Sequence, residues 1–152
     1  MRDGRILATD AWTVALPPTM VGGPVPRPPP ECRSMAIVRG EVAPDAPAVV
    51  ILTARSRSGV TVRAFARTFT ASFTEPPGEG RSVRVAGARS AIRLDGLIEI
   101  EEGLSEDSIE RIALVLAATA HEFVTLTVRT RPDDRVSEAV QELVASFTVR
   151  AP

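Results

Sequence analysis

The sequence predicts an α+β fold, with a central antiparallel β-sheet flanked by two main α-helices in one domain over residues 1–152. Three observations predict it. Several segments alternate apolar and polar residues with the two-residue period of a strand. Two other stretches repeat apolar residues at three- and four-residue spacing, the signature of a helix with one buried face. The later strand segments are joined by hairpin-length connections, which suit antiparallel neighbours and are too short for parallel ones.

The first element is Trp12-Thr13-Val14-Ala15-Leu16, an alternating strand ended by Pro17-Pro18, because proline cannot donate to a sheet ladder. Residues 17–30 hold seven prolines and read as an extended, polyproline-type loop laid over the domain. Met35-Ala36-Ile37-Val38-Arg39 is a second strand, and 48–57 a third. Thr61 then caps a helix running to about Phe73, with Val62, Phe65, Phe69 and Phe73 on one face. Pro76-Pro77-Gly78 stops it. Ser82-Val83-Arg84-Val85, an Ala86-Gly87 turn and 88–101 form a hairpin. Residues 109–118 and 122–130 form another, turning at Thr119-Ala120-His121. A last helix starts at Pro132-Asp133-Asp134 and carries Val136, Val140, Leu143, Val144 and Phe147 on one face.

Composition narrows the function classes. With 44% hydrophobic and 24% charged residues the chain is an ordinary globular one. Its 18 basic residues are all Arg, and Lys, Asn and Tyr are absent, as expected of a GC-rich genome of the actinobacterial kind. A formal charge of −1 gives no electrostatic case for a nucleic-acid partner. The single Cys32 excludes an internal disulfide and a multi-cysteine metal site. No apolar run has signal-peptide or membrane-span length, so the expectation is a cytoplasmic protein without membrane insertion.

Three features together resemble one family. They are the Trp12 strand running into prolines, the helix start Gly59-Val60-Thr61-x-x-x-Phe65-Ala66 directly after a strand, and the hairpin Gly87-Ala88-Arg89-Ser90-Ala91-x-Arg93-Leu94, which leads into two long strands and a helix ending Ala145-Ser146-Phe147. This pattern, covering most of residues 10–149, is similar to the PsbP-like superfamily, which includes DcrB, the LpqN-type proteins and the Eag chaperones of type VI secretion. The resemblance implies a PsbP-like sandwich with binding or adaptor roles and no catalysis. Many members are lipoproteins. The lack of a lipobox cysteine here points instead to an intracellular adaptor or chaperone.

The residues themselves carry little chemistry. His121 is the only histidine and falls in a turn beside Glu122, which suits a surface residue better than a catalytic base. Cys32 is expected to behave as a small hydrophobe. The acidic stretch of Glu99, Glu101, Glu102, Glu106, Asp107 and Glu110 lacks the alternating ligands and central glycine of a calcium loop, and reads as solvated. Gly22-Gly23 and Gly78-Glu79-Gly80 lack the lysine and helix start of a phosphate loop. No enzyme, cofactor or metal is therefore expected.

Strand alternation offers a surface instead. Ile92, Leu94, Ile98 and Ile100, then Ile112, Leu114 and Leu116, then Val124, Leu126 and Val128 are read as the core face beneath both helices. The opposite face is then read as a partner-binding site. Leu97, Val115 and Phe123 form its apolar centre, Arg93, Arg111 and Arg129 its rim, and Thr125 and Thr127 its small neighbours, beside Ala113 and Ala117. The expected function is a non-catalytic adaptor or chaperone that binds a protein or peptide client, such as a secretion-system client, through that face. A homodimer is left open. The alternative is a small-ligand binding or sensor domain.

Overall fold

The computed structural model describes residues 5–28, 30, 32–40, 49–55, 60–71, 80–99, 109–130 and 138–150, with the side chains of residues 40, 69, 97–99, 109 and 110 left aside. In chain order its elements are β1 (Arg5–Ala8), β2 (Trp12–Leu16), β3 (Met20–Pro24), β4 (Ser34–Gly40), β5 (Val49–Arg55), α1 (Val62–Phe69), β6 (Arg81–Ser82), β7 (Ser90–Glu99), β8 (Ile109–Ala118), β9 (Glu122–Thr130), α2 (Glu138–Ser146) and β10 (Thr148–Val149).

The strands form two antiparallel sheets. A large one has the order β3-β4-β5-β9-β8-β7-β6, and a small one the order β1-β2-β10. The architecture is therefore dominated by sheet, and the expected picture of one sheet flanked by two helices holds only in part. One layer over the large sheet combines the small sheet with α2. The large sheet thus has a front face, toward the small sheet, and a back face, toward α1.

The front core contains Trp12, Val14 and Leu16 of β2, Val38, Ile51, Val115, Leu126 and Val128 of the large sheet, and Val140, Leu143 and Phe147 from α2 and its end. The back core is smaller. Val62 and Ala66 of α1 pack on Ile92, Leu94, Ile112, Leu114, Leu116, Ala118 and Phe123. At about 25 cal/mol per Å² of apolar surface removed from water, these two layers of aliphatic side chains are the main stabilising term.

Local chemistry explains the boundaries. Thr61 caps α1, its Oγ1 accepting from the Ala64 amide at 3.1 Å, as expected. The helix ends at Phe69 with Thr70 as its C-cap and residue 71 in a turn, short of the expected end near Phe73, while Phe73 and the Phe69 side chain lie outside the described residues. So does the predicted start of the last helix at Pro132. The proline-rich segment corrects an expectation. Residues 20–24 form the edge strand β3, paired with β4 from Met20↔Gly40 to Pro24↔Ala36. Gly22 lets the two backbones approach, since a Cβ there would stand 2.1 Å from the Ile37 carbonyl oxygen. Pro24 is tolerated because the strand is an edge. The turn Pro17-Pro18-Thr19, closed by the Met20 amide on the Pro17 carbonyl at 3.0 Å, carries the chain from the small sheet to the large one. Two short strands, β1 and β10, have no alternating run long enough to be read from sequence.

Candidate functional site

Register decides which side chains share a face, because cross-strand partners point the same way. Between β7 and β8 the pairs are Arg93↔Val115, Leu94↔Leu114 and Leu97↔Arg111. Between β8 and β9 they are Val115↔Leu126, Leu116↔Thr125, Leu114↔Thr127 and Ala118↔Phe123. The second set overturns the single face inferred from sequence. Arg93, Leu97, Arg111 and Val115 lie on the front face, in line with Val124, Leu126 and Val128. Phe123, Thr125, Thr127 and Arg129 lie on the back face, in line with Ile112, Leu114 and Leu116. The eight residues therefore do not form one surface.

Burial sharpens the correction. Val115 belongs to the front core and Phe123 to the back core, where its ring stacks on Phe65 with centroids 4.4 Å apart. Thr125 and Thr127 are buried. Arg111 is exposed, and Arg93 and Arg129 are half-buried. The physical reason is that β8 and β9 are covered on both sides, so each of their faces is apolar or small. Alternation then marks two faces without saying which of them match across the hairpin.

The back face is covered unevenly. Beneath α1, Ile92, Leu94, Ile112, Leu114 and Leu116 are at most 4% exposed. Further across the same face the rows continue Leu114–Thr127–Val50–Ile37 and Leu116–Thr125–Leu52–Met35. Met35, Ile37, Val50 and Leu52 are only half-buried. Val21 of the edge strand, one row along, is 39% exposed. Arg39, its register partner, is exposed, and Arg129 ends the same row of β9. Four aliphatic side chains thus adjoin two threonines, with arginine along one margin. The signal was present in sequence as the second alternating set of the 35–39 and 48–57 strands.

A charged trio links the two layers. Arg33, just ahead of β4, donates from Nε to Glu122 Oε2 at 2.5 Å, from Nη2 to Glu122 Oε1 at 2.9 Å, and from Nη1 to Asp10 Oδ2 at 2.9 Å. Its guanidinium pKa is raised, first by the hydrogen bond to Glu122 and then by that to Asp10. The hydrogen bond from Arg33 holds the Asp10 carboxyl below its usual range. Sequence reading passed over this trio because its members lie far apart in the chain. Trp12 Nε1, Ser34 Oγ and Thr53 Oγ1 are buried with no hydrogen-bond partner among the described residues. Ser34 and Thr53 are register partners.

His121 is exposed, and Cys32 is half-buried. Among the described residues no group of three His, Cys, Asp or Glu side chains is placed to hold a metal ion. Most of the acidic stretch between Glu99 and Glu110 lies outside the described residues. No described helix is long and apolar enough to cross a membrane.

No protein-family model and no curated protein matches the sequence. Solved structures do match the fold. The solution structure of cyanobacterial PsbP (CyanoP) from Synechocystis superposes with a TM-score of 0.66 at 14% identity, over 98% of this chain and 94% of that one. LpqN of Mycobacterium tuberculosis, described as involved in cell envelope biogenesis, gives 0.61 at 14% identity, over 92% and 83%. A Bacteroides thetaiotaomicron protein gives 0.63 at 7% identity, over 99% of this chain and only 50% of its own. Identities this low speak for architecture alone, and on that ground the chain has the PsbP-like fold that its Trp12, Thr61 and Gly87 segments suggested.

Proposed function

We propose that this chain is a non-catalytic adaptor or chaperone that binds an apolar segment of a protein client on the back face of β3, β4 and β5. The observation that carries the reading is the half-covered patch of Met35, Ile37, Val50 and Leu52, continued by the exposed Val21. Apolar surface left in water on one half of a face whose other half is packed marks an interaction site. Thr125 and Thr127 are buried at its border, and Arg39, exposed along its margin, is placed to hold carboxylates or carbonyl oxygens at the rim. A secretion-system client and a cytoplasmic site of action belong to the same proposal. The test is a pull-down from the native cell, read by quantitative mass spectrometry, with wild type and Ile37→Asp/Leu52→Asp as baits. Clients enriched on wild type should be lost from a double variant whose circular dichroism stays native. Equal capture by both baits would sink the reading.

A second reading, a small-ligand binding or sensor domain, is favoured by the orphaned Trp12 Nε1, Ser34 Oγ and Thr53 Oγ1, since buried polar atoms ordinarily have partners. Native mass spectrometry of protein purified from its own cell would show a bound small molecule, released on Thr53→Val substitution.

A further inference from the structure

The front face carries a different feature at the opposite edge of the large sheet. Arg81 of β6 and Arg93 of β7 are direct register partners, so two arginine side chains leave the sheet from neighbouring positions on one face. Like charges directly opposite each other destabilise a strand pair unless something neutralises them. Among the described residues, Asp95 is the carboxylate beside them, and it does so poorly. Asp95 Oδ2 stands 3.9 Å from Arg93 Nε, beyond hydrogen-bond reach, on a side chain that is 59% exposed. Arg93 Nε is itself buried, with no hydrogen-bond partner among the described residues, although the side chain as a whole is 35% exposed. Arg111 follows on the same face, two positions along β8 from Ala113, the partner of Asp95. Among the described residues Arg81 and Arg111 have no ion-pair or hydrogen-bond partner.

We propose that Arg81 and Arg93 form a clamp for a phosphate group. A phosphate dianion offsets both guanidinium charges, whereas a single carboxylate leaves one uncompensated. Its oxygens supply the acceptor that Arg93 Nε lacks, and planar guanidinium groups hold such oxygens through paired N–H donors. The site opens to solvent along the short edge strand β6, whose two residues are both exposed. It lies on the face away from the apolar patch of β3–β5, so it stands or falls independently of the client-binding reading.

The experiment titrates the whole folded chain with inorganic phosphate at constant ionic strength and follows the arginine Nε–Hε resonances by NMR, with chloride as the control anion. The Arg93 signal should shift saturably with phosphate and not with chloride. Arg81→Gln, a substitution at an exposed side chain, should weaken the apparent affinity at least tenfold, while Arg5→Gln on the small sheet leaves it unchanged. Arg93→Lys keeps the charge but loses the paired donors, and should weaken phosphate binding in the same direction, read there on the Arg81 signal. A parallel titration with phenyl phosphate separates the sources. Tighter binding than phosphate assigns the clamp to a phosphoryl group on an organic molecule, and weaker binding assigns it to the free ion. A shift that is linear and equal in chloride, or undiminished affinity in Arg81→Gln, would overturn the site.

Discussion

Arg33 ties three distant parts of the chain with one side chain, joining the β1–β2 turn at Asp10, the entry to β4 and the start of β9 at Glu122. Glu122 is 6% exposed, and a carboxylate so far from water needs its charge met by fixed donors. Replacing Arg33 with Leu leaves that carboxylate unpaired. The expected loss is about 3 kcal/mol, the low end for breaking a buried pair on one side, because Arg33 retains some exposure. Urea denaturation at neutral pH measures it, and a loss under 1 kcal/mol would mean that water replaces the guanidinium without cost. Asp10 adds a pH-dependent part. Its folded pKa is lowered, so its contribution is present above the unfolded carboxyl value and fades as pH falls through the folded one. The stability gap between wild type and Asp10→Asn should therefore close toward acid pH, and it should be small throughout, since Asp10 is 75% exposed. None of this is legible in the sequence, where Asp10, Arg33 and Glu122 sit in three unrelated stretches. Trp12 is the opposite case. It opens an alternating strand that was read from sequence, and it is fully buried.

Elements with one covered face are the ones the sequence describes well. The α1 start was legible because Thr61 supplies a capping oxygen just ahead of an apolar stripe, of which Val62 is buried and Phe65 half-buried. Thr61→Ala should cost about 1 kcal/mol, the usual value of an N-cap hydroxyl. Thr61→Ser should restore most of it, and an Ala variant as stable as wild type would show that the helix end is held by packing alone. The β8–β9 hairpin is where reading failed. Ala118 pairs with Phe123, so four residues separate the closing pair, and even-numbered positions of β8 align with odd-numbered ones of β9. Had the connection been one residue shorter or longer, the face proposed from sequence would have existed. Nothing in Thr119-Ala120-His121-Glu122 announces that length, and strands apolar on both sides offer no solvent face to correct the register. Gly87, by contrast, announced its turn. It has φ of 85°, and a Cβ there would come within 1.9 Å of the Val149 carbonyl oxygen, so the turn is also where β10 crosses.

At the scale of the whole molecule the large sheet is a partition with a core on either side. Leu143 of α2 is buried in the front core and Leu114 of β8 in the back core, both completely. Neither core is independent, because β8 and β9 contribute Val115 and Leu126 to one and Leu114 and Phe123 to the other through the same backbone. Loss of packing on one side loosens the strands that form the floor of the other. One cooperative transition is therefore expected in spite of two cores. Leu143→Ala and Leu114→Ala should each lower stability by about 2–5 kcal/mol, the range for truncating a buried leucine. Because the two side chains belong to different cores on opposite sides of the sheet, the double variant should lose the sum to within about 0.5 kcal/mol. Chemical denaturation read by tryptophan fluorescence reports the front side through Trp12, and far-ultraviolet circular dichroism reports the whole sheet. Coincident curves in all four proteins are the expected outcome. A Leu114→Ala variant whose dichroism falls while Trp12 keeps its native emission would show that the α1 side opens by itself. The half-covered apolar patch would then belong to a separately mobile layer, and a client would bind by displacing α1 rather than by resting beside it.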